Sequence, residues 1–205
     1  MLDNLFKELA DVFDGDRQIE THAREALLAS VSQAADVDLQ SACVPADKTF
    51  GLPESILQVV AAEDAHPVCR LIAQAPLQWT PPQTSNDPLY VKHSHAKAHV
   101  ELLGPAGLVP SASVRLGLYG MLPDAEYGVR THPAEEIYIM LAGQSYWKRG
   151  SLPYLPHICG DRSHHPSMLE HANRTGDRAF MSVYVWHGDI STDNYSYSGL
   201  PETDQ

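Results

Sequence analysis

From residue 104 onward, turn signals recur about every ten residues: Gly104-Pro105, Pro110, Pro123-Asp124, Gly143, Gly150, Gly160 and Gly176-Asp177. Short runs rich in β-branched and aromatic residues lie between them. A chain punctuated this often has no room for long helices, and evenly spaced short strands close into a sandwich or a small barrel. The stretch before it is different. Leu2, Leu5, Phe6, Leu9, Val12 and Phe13 recur at helical spacing, and Gly15 ends that pattern. Further helical patterns run over 20–35, from Pro53 through Val60, and over about 67–75. Pro76, Pro81, Pro82 and Pro88 among Thr, Ser, Asn and Gln read as a connector. The expected fold is therefore mainly β with N-terminal helices. Residues 1–88 form a helical extension with its connector, and 89–205 form the barrel.

Two strands are legible in detail. In Glu136-Ile137-Tyr138-Ile139-Met140-Leu141, period-two alternation sets Ile137, Ile139 and Leu141 on one face. Glu136, Tyr138 and Met140 take the other. In the run 180–186, Met181, Val183 and Val185 form an aliphatic face opposite Phe180, Ser182, Tyr184 and Trp186. A mixed face bearing a carboxylate suits the inside of a barrel that holds a ligand. A helix over 131–143, capped by Thr131 and ended by Gly143, is the rival reading; the Ile-Tyr-Ile run favours the strand.

His132 and Glu136 lie four apart, with Tyr138 two further on, so an extended chain leaves all three on one face. Imidazole nitrogen and carboxylate oxygen are a donor set suited to one divalent ion, Zn, Fe or Mn. The later segment holds His164, His165 and His171, and one of these could complete a two-His, one-carboxylate set. Spacing alone does not choose among them. His93, His95 and His99 also have metal-like spacing, but they adjoin the connector and are expected to be exposed. Arg115 could reach into the barrel; an outward orientation is the expectation.

The charge of −12 opposes nucleic acid and anionic membrane surfaces as partners. No apolar run approaches the roughly 18 residues of a membrane span. The N-terminus lacks a signal-peptide pattern, so a cytoplasmic address is expected. Cys43, Cys69 and Cys159 are an odd, scattered set and suggest buried thiols rather than disulfides. A homodimer is compatible with the sequence.

The segment Gly128, His132, Glu136, Gly143 resembles the first cupin motif, and Gly160, Pro166, His171 resembles a degenerate second one. More narrowly, Tyr127, the run His132 to Glu136, Tyr138, Trp147, His164-His165-Pro166, His171 and Trp186 are similar to the cupin dimethylsulfoniopropionate (DMSP) lyases. The likeness covers roughly 90–190, and Leu102-Leu103-Gly104-Pro105 also fits. It implies a cupin (small jelly-roll) barrel behind a helical extension. It also implies a metal held by His132, Glu136 and His171 with Tyr138 as a fourth ligand. Tyr127 and Tyr138 would be the pocket tyrosines that supply the base, and Trp186 a pocket wall. Arg130 stands where the usual motif has another histidine, and Thr175 where it has asparagine.

The implied reaction is a metal-dependent β-elimination giving dimethyl sulfide and acrylate. The substrate would be a small zwitterionic sulfonium, whose cation could rest on the faces of Tyr184 and Trp186. A non-haem Fe(II) oxygenase and a non-catalytic ligand-binding cupin are the alternatives. The pocket phenols favour the lyase.

Overall fold

The computed structural model describes residues 1–39 and 51–201. Its helices are α1 (Leu2–Val12), α2 (Gln18–Ala29), α3 (Val31–Ala35), α4 (Glu54–Val60), α5 (Cys69–Gln74) and α6 (Pro88–His93). The strands are β1 (Lys97–Gly104), β2 (Val109–Pro110), β3 (Val114–Met121), β4 (Glu126–Thr131) and β5 (Glu135–Arg149). They continue with β6 (Leu155–Ile158), β7 (Arg162–His165), β8 (His171–Arg174), β9 (Phe180–His187) and β10 (Ser196–Gly199).

The strands follow the order β10-β4-β8-β5-β9-β3-β1-β2, with β6 and β7 also paired to β5. All pairs but β1–β2 are antiparallel. The long strand β5 is the spine of this cupin-type barrel. Its first part pairs with β7 and β9, and its last part with β6 and β8. It turns from one layer into the other at Gly143, whose φ of +72° is open to glycine. A Cβ at that position would lie 2.0 Å from the Ala179 carbonyl oxygen. The rival helix over 131–143 is thus not formed.

The alternation read from the sequence sorts the two faces of the wall. Ile137, Ile139, Leu141, Met181, Val183 and Val185 join Leu116 and Leu118 in an outer core with α1, α2, α4 and α5. Each fully buried Leu, Ile or Phe in that core contributes about 1.5–3 kcal/mol. Tyr138, Met140, Phe180, Tyr184 and Trp186 point the other way and form an inner aromatic cluster with Tyr119, Tyr127 and Trp147. Arg162 of β7 pins the helical layer from the barrel side. It pairs with the buried Glu20 at 3.1 Å, bonds the Val12 carbonyl at 3.3 Å and pairs with Asp14.

Two helical expectations need correction. The helix expected over 20–35 starts at Gln18 and breaks at Ser30 into α2 and α3. The connector does not stay irregular to its end. Pro88 opens α6 because Asp87 caps it, accepting from the Leu89 and Tyr90 amides at 2.8 and 3.1 Å. The part of the helical front half over 40–50, including Cys43, lies outside the described residues. Cys69 and Cys159 are free thiols, and Cys69 is buried. Among the described residues, no helix is long and apolar enough to cross a membrane.

Candidate metal centre and substrate cavity

Three side chains meet at the inner face of the wall. His132 follows β4, Glu136 sits near the start of β5, and His171 opens β8. One donor atom from each lies within 4.8 Å of the others, and all three residues are buried. The backbone sets the imidazole tautomers. His132 Nδ1 faces the Ala134 carbonyl at 3.1 Å, and His171 Nδ1 faces the Leu169 carbonyl at 2.8 Å. A carbonyl only accepts, so each Nδ1 carries the proton and each Nε2 presents a lone pair. Both Nε2 atoms are buried without a hydrogen-bond partner among the described residues. They stand 3.5 and 3.1 Å from Glu136 Oε2. Two lone pairs converging on a carboxylate repel one another unless a cation sits among them. The donor set fits a divalent ion.

The charge states agree with that fit. Burial brings His171 down to about 4, with the Arg130 charge adding to the effect, so its imidazole is neutral at neutral pH. Burial acts to raise the Glu136 carboxyl. Hydrogen bonding from the imidazoles around it, His132, His165 and His171, opposes that and holds the group well below the usual carboxylate range. In the tautomers assigned above His165 is the donor, and His132 and His171 would donate only if protonated at Nε2.

Of the three histidines that the spacing left open, each has a distinct environment. His164 pairs with Glu135 at 2.7 Å, away from the cluster. His165 Nδ1 donates to Glu136 Oε2 at 3.0 Å, while Ser163 Oγ lies 2.9 Å from its Nε2. The ring stacks on His171 at 4.1 Å. His165 thus orients the carboxylate, a role the spacing did not disclose. Glu136 Oε1 is taken by Trp186, whose Nε1 donates at 2.5 Å. The strand register places Trp186 directly across from Glu136, and its ring stacks on His132 at 4.1 Å.

A cavity of about 680 Å³ adjoins this cluster, lined by Glu136 together with Tyr119, Tyr127, Tyr138, Tyr184, Trp186 and Tyr195. The connector also contributes to its lining, through Pro76, Gln78 and residues 80–84. The Tyr138 phenol is buried beside Glu136; burial first, then that carboxylate's charge, holds its pKa well above the usual value. Burial likewise raises Tyr127, whose hydroxyl lies 2.6 Å from that of Tyr195. Tyr184 is fixed by His99, whose Nε2 lies 2.7 Å from the phenol oxygen. Gly117 makes room for it, since a Cβ there would stand 3.0 Å from the Tyr184 ring and hydroxyl.

Several of these residues depart from the sequence reading. His99 reaches the cavity wall, while His95 is exposed and His93 bonds the Tyr197 hydroxyl at 2.7 Å. The three do not converge. Arg115, expected to point outward, lines the cavity instead. It lies opposite Trp186 in the register and pairs with Glu101 at 2.6 Å. Arg130 is buried and bonds Asn173 Oδ1 at 3.2 Å. It supports the wall and is no ligand. Tyr195 carried no signal in the sequence beyond its spacing of two from Tyr197.

A cupin-type barrel with a buried His₂Glu donor group opening on an aromatic cavity is therefore the class that fold and site define. A family model described as dimethylsulfoniopropionate lyase matches residues 21–182. The chain belongs to that family. It is 38% identical over 91 residues to the dimethylsulfoniopropionate lyase DddQ of Ruegeria pomeroyi. That match covers 44% of this chain and 45% of the relative, less than half of its length. The crystal structure of DMSP lyase DddQ from Ruegeria pomeroyi DSS-3 is similar at a TM-score of 0.58 and 25% identity, over 85% of this chain and 95% of that one. A structure from the work on DMSP lyases RdDddP and RnDddQII shares the fold at a TM-score of 0.65 and 18% identity, over 96% and 97% of the two chains.

Proposed function

We propose that this protein cleaves dimethylsulfoniopropionate to dimethyl sulfide and acrylate, using one divalent ion held by His132, Glu136 and His171. Tyr138, buried beside Glu136, would be the fourth ligand. Membership of the lyase family supports the reading. The observation that carries it is the pair of buried phenols, Tyr127 and Tyr138, lining the same cavity as the donor group. Neither an oxygenase nor a simple binding barrel has a need for them.

A divalent ion in this place supplies positive charge that stabilises the negative charge developing at the substrate carboxylate and lowers the pKa of a neighbouring phenol. The chain does the rest. A phenolate oxygen, from Tyr127 or Tyr138, takes the proton from the carbon next to the carboxylate. The electron pair of that C–H bond becomes the carbon–carbon double bond. The C–S bond breaks with its pair going to sulfur, so neutral dimethyl sulfide leaves and acrylate remains. Tyr184 and Trp186 present ring faces to the sulfonium, each contact contributing on the order of 0.5–2 kcal/mol. His99 and Glu136 hold those two rings in place. The free thiols of Cys69 and Cys159 fit a reducing cytoplasm.

The test adds DMSP to purified, metal-loaded protein under nitrogen, with dimethyl sulfide in the headspace and acrylate in solution measured together. Equal amounts of both are expected. Loss of DMSP that needs oxygen and yields no acrylate would overturn the reading.

A further inference from the structure

Lys97 opens β1 with its side chain turned into the barrel wall, and the scheme above gives it no role. It is 4% exposed, and its Nζ has no hydrogen-bond partner among the described residues. The amine lies over the ring of Tyr127, 3.3 Å from the centroid, and 5.5 Å from that of Tyr90. A lysine without acceptors is a costly way to fill apolar space, and methionine would fill it without that cost. The same Tyr127 ring lies 3.9 Å from the Arg130 guanidinium. That guanidinium is a permanent charge, and its field is shared among Tyr138, Tyr127, Tyr195 and Glu136. A second negative charge, on Tyr127, calls for a second cation.

We propose that Lys97 is a positioning residue for Tyr127, its amine carrying the positive charge that offsets the phenolate when Tyr127 gives up its proton. The inference rests on Tyr127 acting as the base of the lyase reaction. The charges balance: Tyr127 releases its phenolic proton to solvent, Lys97 takes one up, and the net charge of the pair is unchanged. The phenolate then accepts the substrate proton at Oη, and Lys97 returns its own.

The surroundings allow this exchange. Burial, reinforced by Arg130, brings Lys97 from 10.5 down to about 6, so in the resting site the amine is neutral, and a negative charge on the ring beneath it is what favours its protonation. Around the amine, α6 presents Tyr90 and His93, and β4 presents Tyr127 and Arg130. Around the phenol stand Tyr195, Tyr90, Tyr119, Tyr197 and, more remotely, Tyr138. Each of these tyrosines is neutral unless it ionises itself. Lys97 is therefore the neighbour that can gain a positive charge as Tyr127 gains a negative one.

The experiment compares Lys97→Met and Lys97→Arg with the wild type, in full-length protein. In the metal-loaded form, Lys97→Met is expected to keep its metal and its Tm. With no amine to take up a proton, Lys97→Met must lose the Tyr127 proton to solvent, so the rising limb of its kcat/KM profile with DMSP should lie at higher pH by about one unit or more, at least a tenfold loss at a fixed pH on that limb. Lys97→Arg restores the limb. In the metal-free form, tyrosinate ultraviolet titration, with Tyr127→Phe as the subtraction, should show Tyr127 ionising at higher pH in Lys97→Met. A folded Lys97→Met with limb and Tyr127 ionisation both unmoved overturns the proposal. So does a loss equal at every pH together with a lowered Tm, which is the mark of a packing role. If Lys97→Met does not fold, Lys97→Gln is read by the same criteria. If the wild type releases no dimethyl sulfide, the lyase reading fails, and the ultraviolet titration still decides on Lys97.

Discussion

Trp186 donates its indole N–H to Glu136 Oε1 across the β5–β9 register, at 2.5 Å. With His165 on Oε2, this leaves the carboxylate little freedom to turn away from the two histidine Nε2 atoms. Trp186→Phe keeps most of the ring and removes the donor. Loss of such a supporting bond is expected to weaken metal binding by about 10- to 100-fold, measured by competition with a chelator. Glu136→Ala should abolish stoichiometric metal, while the exposed His95→Ala leaves it at wild-type level. Full metal in Glu136→Ala, by elemental analysis, would remove the site.

Replacing either pocket phenol tests the base. Tyr127→Phe and Tyr138→Phe each lose one hydroxyl and should keep the fold. At least one is expected to lose about 10²–10⁴-fold in kcat, the usual worth of general-base catalysis, while DMSP still binds by calorimetry. Two fully active variants would leave the elimination without a base from this pair.

Acid should destabilise the metal-free fold in a defined window. His99 and His171 are each brought from 6.5 to about 4 by burial. Between those values the unfolded chain binds more protons than the folded one, so stability falls as pH falls from 6.5 toward about 4. Above 6.5 these two groups contribute no slope. A Tm constant through that window would contradict the buried, neutral imidazoles.

Much of the wall was legible because period two survives any change of register. The faces of the strands at 136–141 and 180–186 could be assigned from alternation alone, and the His132/Glu136 proximity with them. What each inner residue touches was not legible. The Trp186–Glu136 bond depends on how β9 is set against β5, and Arg115 turned inward because Glu101 waits for it on the neighbouring strand. Tyr195 reaches Tyr127 from 68 residues away. The helix α6 escaped notice because it is six residues long and begins on a proline that, in its surroundings, reads as connector.

A chain begun near Pro88 should fail to stay soluble. It would lack α1, α2, α4 and α5, and so bare the aliphatic faces of β3, β5 and β9 together. Aggregation in size-exclusion chromatography is the expected outcome. A monodisperse, metal-loaded fragment would show that the barrel stands alone.

The passage of β5 through both layers has a mechanical consequence. A barrel whose halves are joined only by loops can part along its seam like a shell. Here a single strand is stitched into each half, so prising the layers apart at Gly143 would strip the ladders with β9 on one side or β8 on the other. Traffic to and from the cavity then leaves that seam closed; of its lining, Pro76, Gln78 and residues 80–84 belong to the connector, which bridges to β1 at Thr80 and His99.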